Sequence, residues 1–165
     1  MTPPVDNSEV LFRQAPRRGT PLFVDRTVTP PVHRLAFRPT PNDADGLSLI
    51  RAKFRSLEWS GYRPEKDDSE LYVIQLIAEH LCKVAERVEL PPLSFPCSPD
   101  CLDLLNGEPN AHCTIAQINR VDYDKGGDHK KRILSWTEKL SETIKIEQIH
   151  GPFKKPASHF PYRPA

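Results

Sequence analysis

His112 is the residue whose type and setting point most directly to chemistry. It stands in Asn110-Ala111-His112-Cys113-Thr114-Ile115, at the start of an expected strand after a proline-rich loop. An imidazole placed there can act as a general acid or base, or it can hold a loop carbonyl and fix the loop–strand junction. A serine set can be assembled from Ser48, His112 and Asp45, and a thiol set from Cys113 and His80. No Gly-x-Ser-x-Gly turn and no family-type cysteine context fixes either geometry. Cys97 and Cys101 have tolerable zinc spacing. Extending the set to both His112 and Cys113 is difficult, because adjacent residues of a strand point to opposite faces. The thiols otherwise read as small buried hydrophobes, and no cofactor is expected. Asp43-Ala44-Asp45-Gly46 opens like a calcium loop but lacks the later ligands and the bidentate Glu. Read simply, Asp45-Gly46 is a turn in which Gly46 supplies a positive φ.

The run His112-Cys113-Thr114 resembles one half of the two-motif pattern of 2H phosphoesterases. In that pattern two histidines flank a phosphate and Ser or Thr hydroxyls bind it. The chemistry needs two motifs, because acid and base act on opposite sides of phosphorus. His33, His80, His129, His150 and His159 all lack the companion hydroxyl residue. A wider likeness runs over residues 32–145. Arg34, the run Asp45-Gly46-Leu47-Ser48, and the segment from Pro109 to Ile115 resemble a loose group of small bacterial proteins without an assigned activity. Cys113 and the long 97–110 loop depart from that group's pattern. The resemblance implies an accessory role in a conflict or defence-type locus. It also suggests that Arg34, Asp45, Ser48 and His112 line one polar cleft, whereas the simpler reading makes each a local hydrogen-bond hub.

Two further groups carry charge. His129-Lys130-Lys131-Arg132 reads as a solvated helix face or as a contact for phosphate or an acidic partner. Lys154-Lys155, with Phe153, Phe160 and Tyr162, makes an aromatic and basic tail.

The elements that must position these residues are delimited by proline. Proline accounts for 18 of 165 residues, about twice the usual share. Prolines crowd residues 1–41, 91–110 and 152–165, so long helices belong in 42–90 and 111–151. Val73, Ile77, Leu81, Val84 and Val88 recur at helical spacing and predict a helix over 69–90, with the acidic residues before it as its cap. Ile133, Trp136, Leu140 and Ile144 predict a second helix over 128–144, capped by Asp128 after Gly126-Gly127. A weaker helix is expected over 49–59. Strands are expected at 22–28, 32–37, 93–95, 111–118 and 144–149. Helices and short strands mix without βαβ alternation, which predicts an α+β fold with a small, mostly antiparallel sheet and two to three helices. Residues 1–20 and 152–165 read as flexible arms around one domain at 21–151.

The net charge is +1, from 23 basic and 22 acidic residues. That balance argues against a general nucleic-acid binder. No basic region followed by an apolar run opens the chain, and no apolar stretch approaches the ~20 residues of a membrane span. A cytoplasmic protein with reduced thiols and a protein partner is expected. The leading expectation is a non-enzymatic interaction module. The rival is a His112-centred hydrolase of a phosphate ester or nucleic acid, with His33 or His80 as the second acid or base.

Overall fold

Strand β1 (Val10–Pro16) carries Leu11 and Ala15 on one face and Phe12 on the other, all buried. A strand buried on both faces belongs in the middle of a sheet, and β1 is the central strand. It pairs with β2 (Leu47–Arg51) on one side and β3 (Leu71–Ile77) on the other. Strand β4 (His112–Ile115) flanks β2, and β5 (Ile149–Phe153) flanks β3. The order is β4-β2-β1-β3-β5, and every pairing is antiparallel. The computed structural model describes residues 3–16, 22–62, 71–97 and 111–153.

Helices α1 (Leu57–Ser60), α2 (Ala78–Arg87), α3 (Arg120–Lys125) and α4 (Gly127–Thr143) complete the α+β architecture. The main core forms where α2 and α4 join one sheet face. Leu11, Leu49, Ile74, Leu81, Ile133, Trp136 and Leu140 meet there. Each such side chain contributes about 1.5–3 kcal/mol on full burial. Trp136 donates its indole N–H to the Leu81 carbonyl at 3.3 Å and meets Phe37 edge-on. The opposite face carries a smaller cluster, Phe12, Ile50, Val73 and Ala111, against Phe54, Leu57 and Phe153.

The α+β expectation and the second helix hold, and Gly126 and Gly127 both have positive φ before α4. Asp128 stands in the first turn of α4 and makes no cap, since Gly126 occupies the cap position. Other expectations are corrected. Residues 69–90 are not one helix, because 71–77 pair with β1 and β5 and only 78–87 are helical. Residues 49–59 divide between β2 and the single turn α1. Residues 22–28 and 32–37 form no strands, only one bridge, Val24 to Val32, and a 3-10 turn at Arg34–Phe37. Residues 94–97 run beside β4, bonded through Thr114 N–H to Pro96 O and Ala116 N–H to Ser94 O. The arm at 1–20 is corrected most strongly, since residues 10–16 are the central strand. At the other end the domain continues to Phe153. The expected flexibility of 17–20 and 154–165 lies outside the described residues.

Candidate functional site

The segment before β2 is organised by Asp43, which is almost fully buried. One carboxylate oxygen accepts from Thr40 N–H at 2.7 Å and Thr40 Oγ1 at 3.0 Å. The other accepts from Ser48 N–H at 3.3 Å and Ser48 Oγ at 3.1 Å. Its carbonyl accepts from Gly46 N–H and Arg120 N–H. Gly46 takes φ 146°, and a Cβ there would stand 2.5 Å from the Ile115 carbonyl oxygen. The chain can therefore enter β2 beside β4 only with glycine at this position.

Antiparallel register then sets Ile50 opposite His112 and Ser48 opposite Thr114. Alternate residues share a face, so His112 reaches diagonally to Ser48. Its Nε2 lies 3.3 Å from Ser48 Oγ. Arg13 donates to the Ser48 carbonyl at 2.9 Å and to the Ala36 carbonyl at 3.0 Å. Burial pushes the His112 pKa below its ordinary value. The Arg55 charge adds to that shift and Asp43 opposes it.

The three groups form a chain, Asp43 to Ser48 to His112, whose direction decides its chemistry. A carboxylate can only accept, and the hydroxyl has one proton. Ser48 gives that proton to Asp43, so neutral His112 donates from Nε2 to Ser48 Oγ. A nucleophilic serine needs the reverse, an imidazole accepting the serine proton and an acid behind the imidazole. Here the acid stands behind the serine. This arrangement suits anchoring the 40–48 turn to the sheet.

The expected polar cleft is divided. Ser48 and His112 meet. Asp45 is exposed, and the acid on Ser48 is its neighbour Asp43. Arg34 stands in the 3-10 turn with its guanidinium 4.0 Å from Glu138 on α4. The other described histidines have their own structural partners. His33 Nδ1 accepts from Leu35 N–H, and His80 bonds Thr143 Oγ1. His129 bonds the Gln117 carbonyl and His150 bonds Gln75. Neither His33 nor His80 is bonded to His112. Among the described residues no three His, Cys, Asp or Glu side chains could hold a metal ion. Cys101 lies outside those residues, and the Arg51 guanidinium already sits 3.3 Å from Cys97 Sγ.

A second site lies where Arg34 does. Residues 22–34 fold over α4, tied by a hydrogen bond from Ser141 Oγ to the Val32 carbonyl. They leave an open groove of about 480 Å³ lined by Leu22, Val28, Pro30 and Pro31, with Asp25, Glu138 and Glu142 as its acids. Leu22 and Val28 are 49% and 53% exposed. Asp25 accepts from the Thr27 hydroxyl and N–H, which lowers its carboxyl pKa. Neither Ser48 nor His112 lines this groove. Reading 22–28 as a strand hid it, although the apolar Leu22 and Val28 around Pro30-Pro31 were its signal.

No protein-family model, curated protein or solved structure matches the chain. Among the described residues no helix is long and apolar enough to cross a membrane.

Proposed function

We propose that the chain is a non-enzymatic, cytoplasmic protein-interaction module that docks a peptide segment of a partner protein in the groove between residues 22–34 and α4. The observation that carries this reading is the groove's chemistry: exposed Leu22 and Val28 beside prolines, under a rim of Asp25, Glu138 and Glu142. Exposed apolar side chains in a concave, charged-rim setting mark recognition surfaces. Three acids against Arg34, itself paired to Glu138, favour a segment whose apolar side chains are flanked by Lys or Arg.

The test is selection of a displayed random-peptide library on the purified full chain. Enriched sequences are expected to combine apolar and basic residues. Val28→Asp weakens their binding at least about tenfold, or about 1.4 kcal/mol. Glu138→Lys with Glu142→Lys turns the preference towards acidic peptides. Enriched peptides indifferent to both changes, or no enrichment, overturn the reading.

The second reading is a His112-centred hydrolase of a phosphate ester or nucleic acid, with the part-buried imidazole as general acid or base and without Ser48 as nucleophile, since the Ser48 proton goes to Asp43. Turnover of simple phosphate esters or short oligonucleotides, lost in His112→Asn at an unchanged melting temperature, supports that reading. No turnover rejects it.

A further inference from the structure

Cys97 and Cys113 are bridge partners on adjacent antiparallel segments. Their pairing type follows from the bonds around them. Thr114 N–H donates to the Pro96 carbonyl at 3.0 Å, one step to either side of the pair. On its other side, Cys113 pairs with Leu49 of β2, in register with the Arg51 N–H bond to the Ala111 carbonyl. Cys97 and Cys113 therefore form a non-hydrogen-bonded pair, the narrow kind, with Cα atoms about 4.5 Å apart and side chains on one face. A disulfide needs Cα atoms about 4.4–6.8 Å apart. Both thiols are free, and both pack with the main core.

We propose that Cys97 and Cys113 are an oxidation site that closes to a disulfide with a hydroperoxide as oxidant. The two sulfurs have different roles. Cys113 is fully buried, and burial pushes its thiol pKa up to about 12, with the Cys97 charge adding to the shift. Cys97 is half-buried and receives a hydrogen bond from Arg51 Nη1 at 3.3 Å. The peroxide meets Cys97. Its sulfur attacks the terminal peroxide oxygen and the O–O bond breaks, giving a sulfenic acid and an alcohol, or water from hydrogen peroxide. The Cys113 sulfur then attacks Cys97 Sγ, the S–S bond forms, and water leaves with the Cys113 proton. Two thiols are oxidised by two electrons, and one peroxide is reduced.

The bond ties residues 94–97 covalently to β4, adding to the backbone hydrogen bonds from Thr114 and Ala116 and the side-chain bonds between Ser94 and Gln117 that hold them now. This site is independent of the groove, and either proposal can fail alone.

The test uses the full chain with Cys82→Ser and Cys101→Ser, treated with hydrogen peroxide, then alkylated and mapped without reduction. The expected result is loss of both remaining thiols, an intact mass lower by two hydrogens, and a peptide joining Cys97 to Cys113. The oxidised chain melts higher, and dithiothreitol reverses both changes. Cys97→Ser on this background abolishes the product without touching the buried core sulfur, so a folding failure at Cys113 cannot imitate the result. Thiols that stay reduced, or Cys97 driven to sulfinic acid with Cys113 intact, overturn the proposal. In the wild-type chain, a Cys97–Cys101 product instead of Cys97–Cys113 overturns it as well.

Discussion

Among the described residues, Arg51 is a charge committed wholly to the interior. It is fully buried, with Glu9 beside it at 2.6 and 2.8 Å and Lys53 3.4 Å from the same carboxylate. It also donates to the Pro3 and Pro4 carbonyls, which holds the start of the chain against the sheet. Burial alone pushes the Glu9 carboxyl pKa up, but the hydrogen bonds and charge of Arg51, with Lys53, outweigh it and hold it below the usual range. Glu9→Gln leaves a guanidinium buried without a countercharge, so a loss of about 3–5 kcal/mol is expected in urea unfolding. The double replacement Glu9→Leu with Arg51→Met recovers most of it, since an apolar pair carries no desolvation cost. A Glu9→Gln variant within 1 kcal/mol of wild type contradicts this account. Arg51 had a sequence signal. In Leu47-x-Leu49-x-Arg51 the period of two places the arginine on the core face. Its partner was not legible, because Glu9 is distant in sequence and meets it only through the pairing of β1 with β2.

At the scale of elements, the instructive segment is 71–87. Strand β3 lies between β1 and β5 and buries Val73 on one face and Ile74 and Leu76 on the other. A strand buried on both faces shows no alternation, so its apolar residues fit a helical spacing equally well. The helix follows at once, with Ile77 in the cap position and no side-chain cap to mark the junction. The far end was legible as a stop at Pro91-Pro92, and its geometry is specific. Leu90 N–H bonds the Ala85 carbonyl and Glu89 N–H bonds that of Glu86, with Glu89 at φ 61°. This is a Schellman termination with a side chain where glycine is preferred. Glu89→Gly is expected to stabilise the fold by about 0.5–1 kcal/mol in denaturant unfolding. A destabilised variant would show that the Glu89 side chain contributes more than its backbone strain costs.

Over the whole molecule, both sheet edges carry hydrogen-bond partners among the described residues. Residues 94–97 bond along β4, and Arg26 donates to the Ile149 and Gly151 carbonyls of β5. Edge pairing with another chain is thereby discouraged at these positions. The pH response is also global, because two imidazoles in separate parts of the fold are shifted in the same direction. Burial lowers the pKa of His80, aided by Arg87 and Lys83, and that of His112, aided by Arg55, from 6.5. Below pH 6.5 the unfolded chain binds these protons before the native chain does, so stability falls as pH falls. It is complete above 6.5 and is lost as pH drops through the lowered values. The melting temperature is expected to decline from about pH 7.5 to 5, and His80→Asn with His112→Asn flattens that slope. A wild-type melt that is level or rises over that range refutes the assignment.

Sequence by itself determined what depends on near neighbours. The α+β class, the helix α4 with its Ile133, Trp136 and Leu140 face, and the Gly46 turn all follow from periods and φ preferences that act within a few residues. It also brought Ser48 and His112 forward as candidates. Only the tertiary structure decided which residues meet. It set β1 at the centre, gave Asp43 rather than Asp45 to Ser48, sent Arg34 to Glu138, and faced Cys97 with Cys113. Strand pairing joins distant segments, and a register shifted by one residue turns every side chain to the other face. No local pattern carries that information, so the direction of the Asp43–Ser48–His112 chain, and with it the chemistry, exists only in the folded sheet.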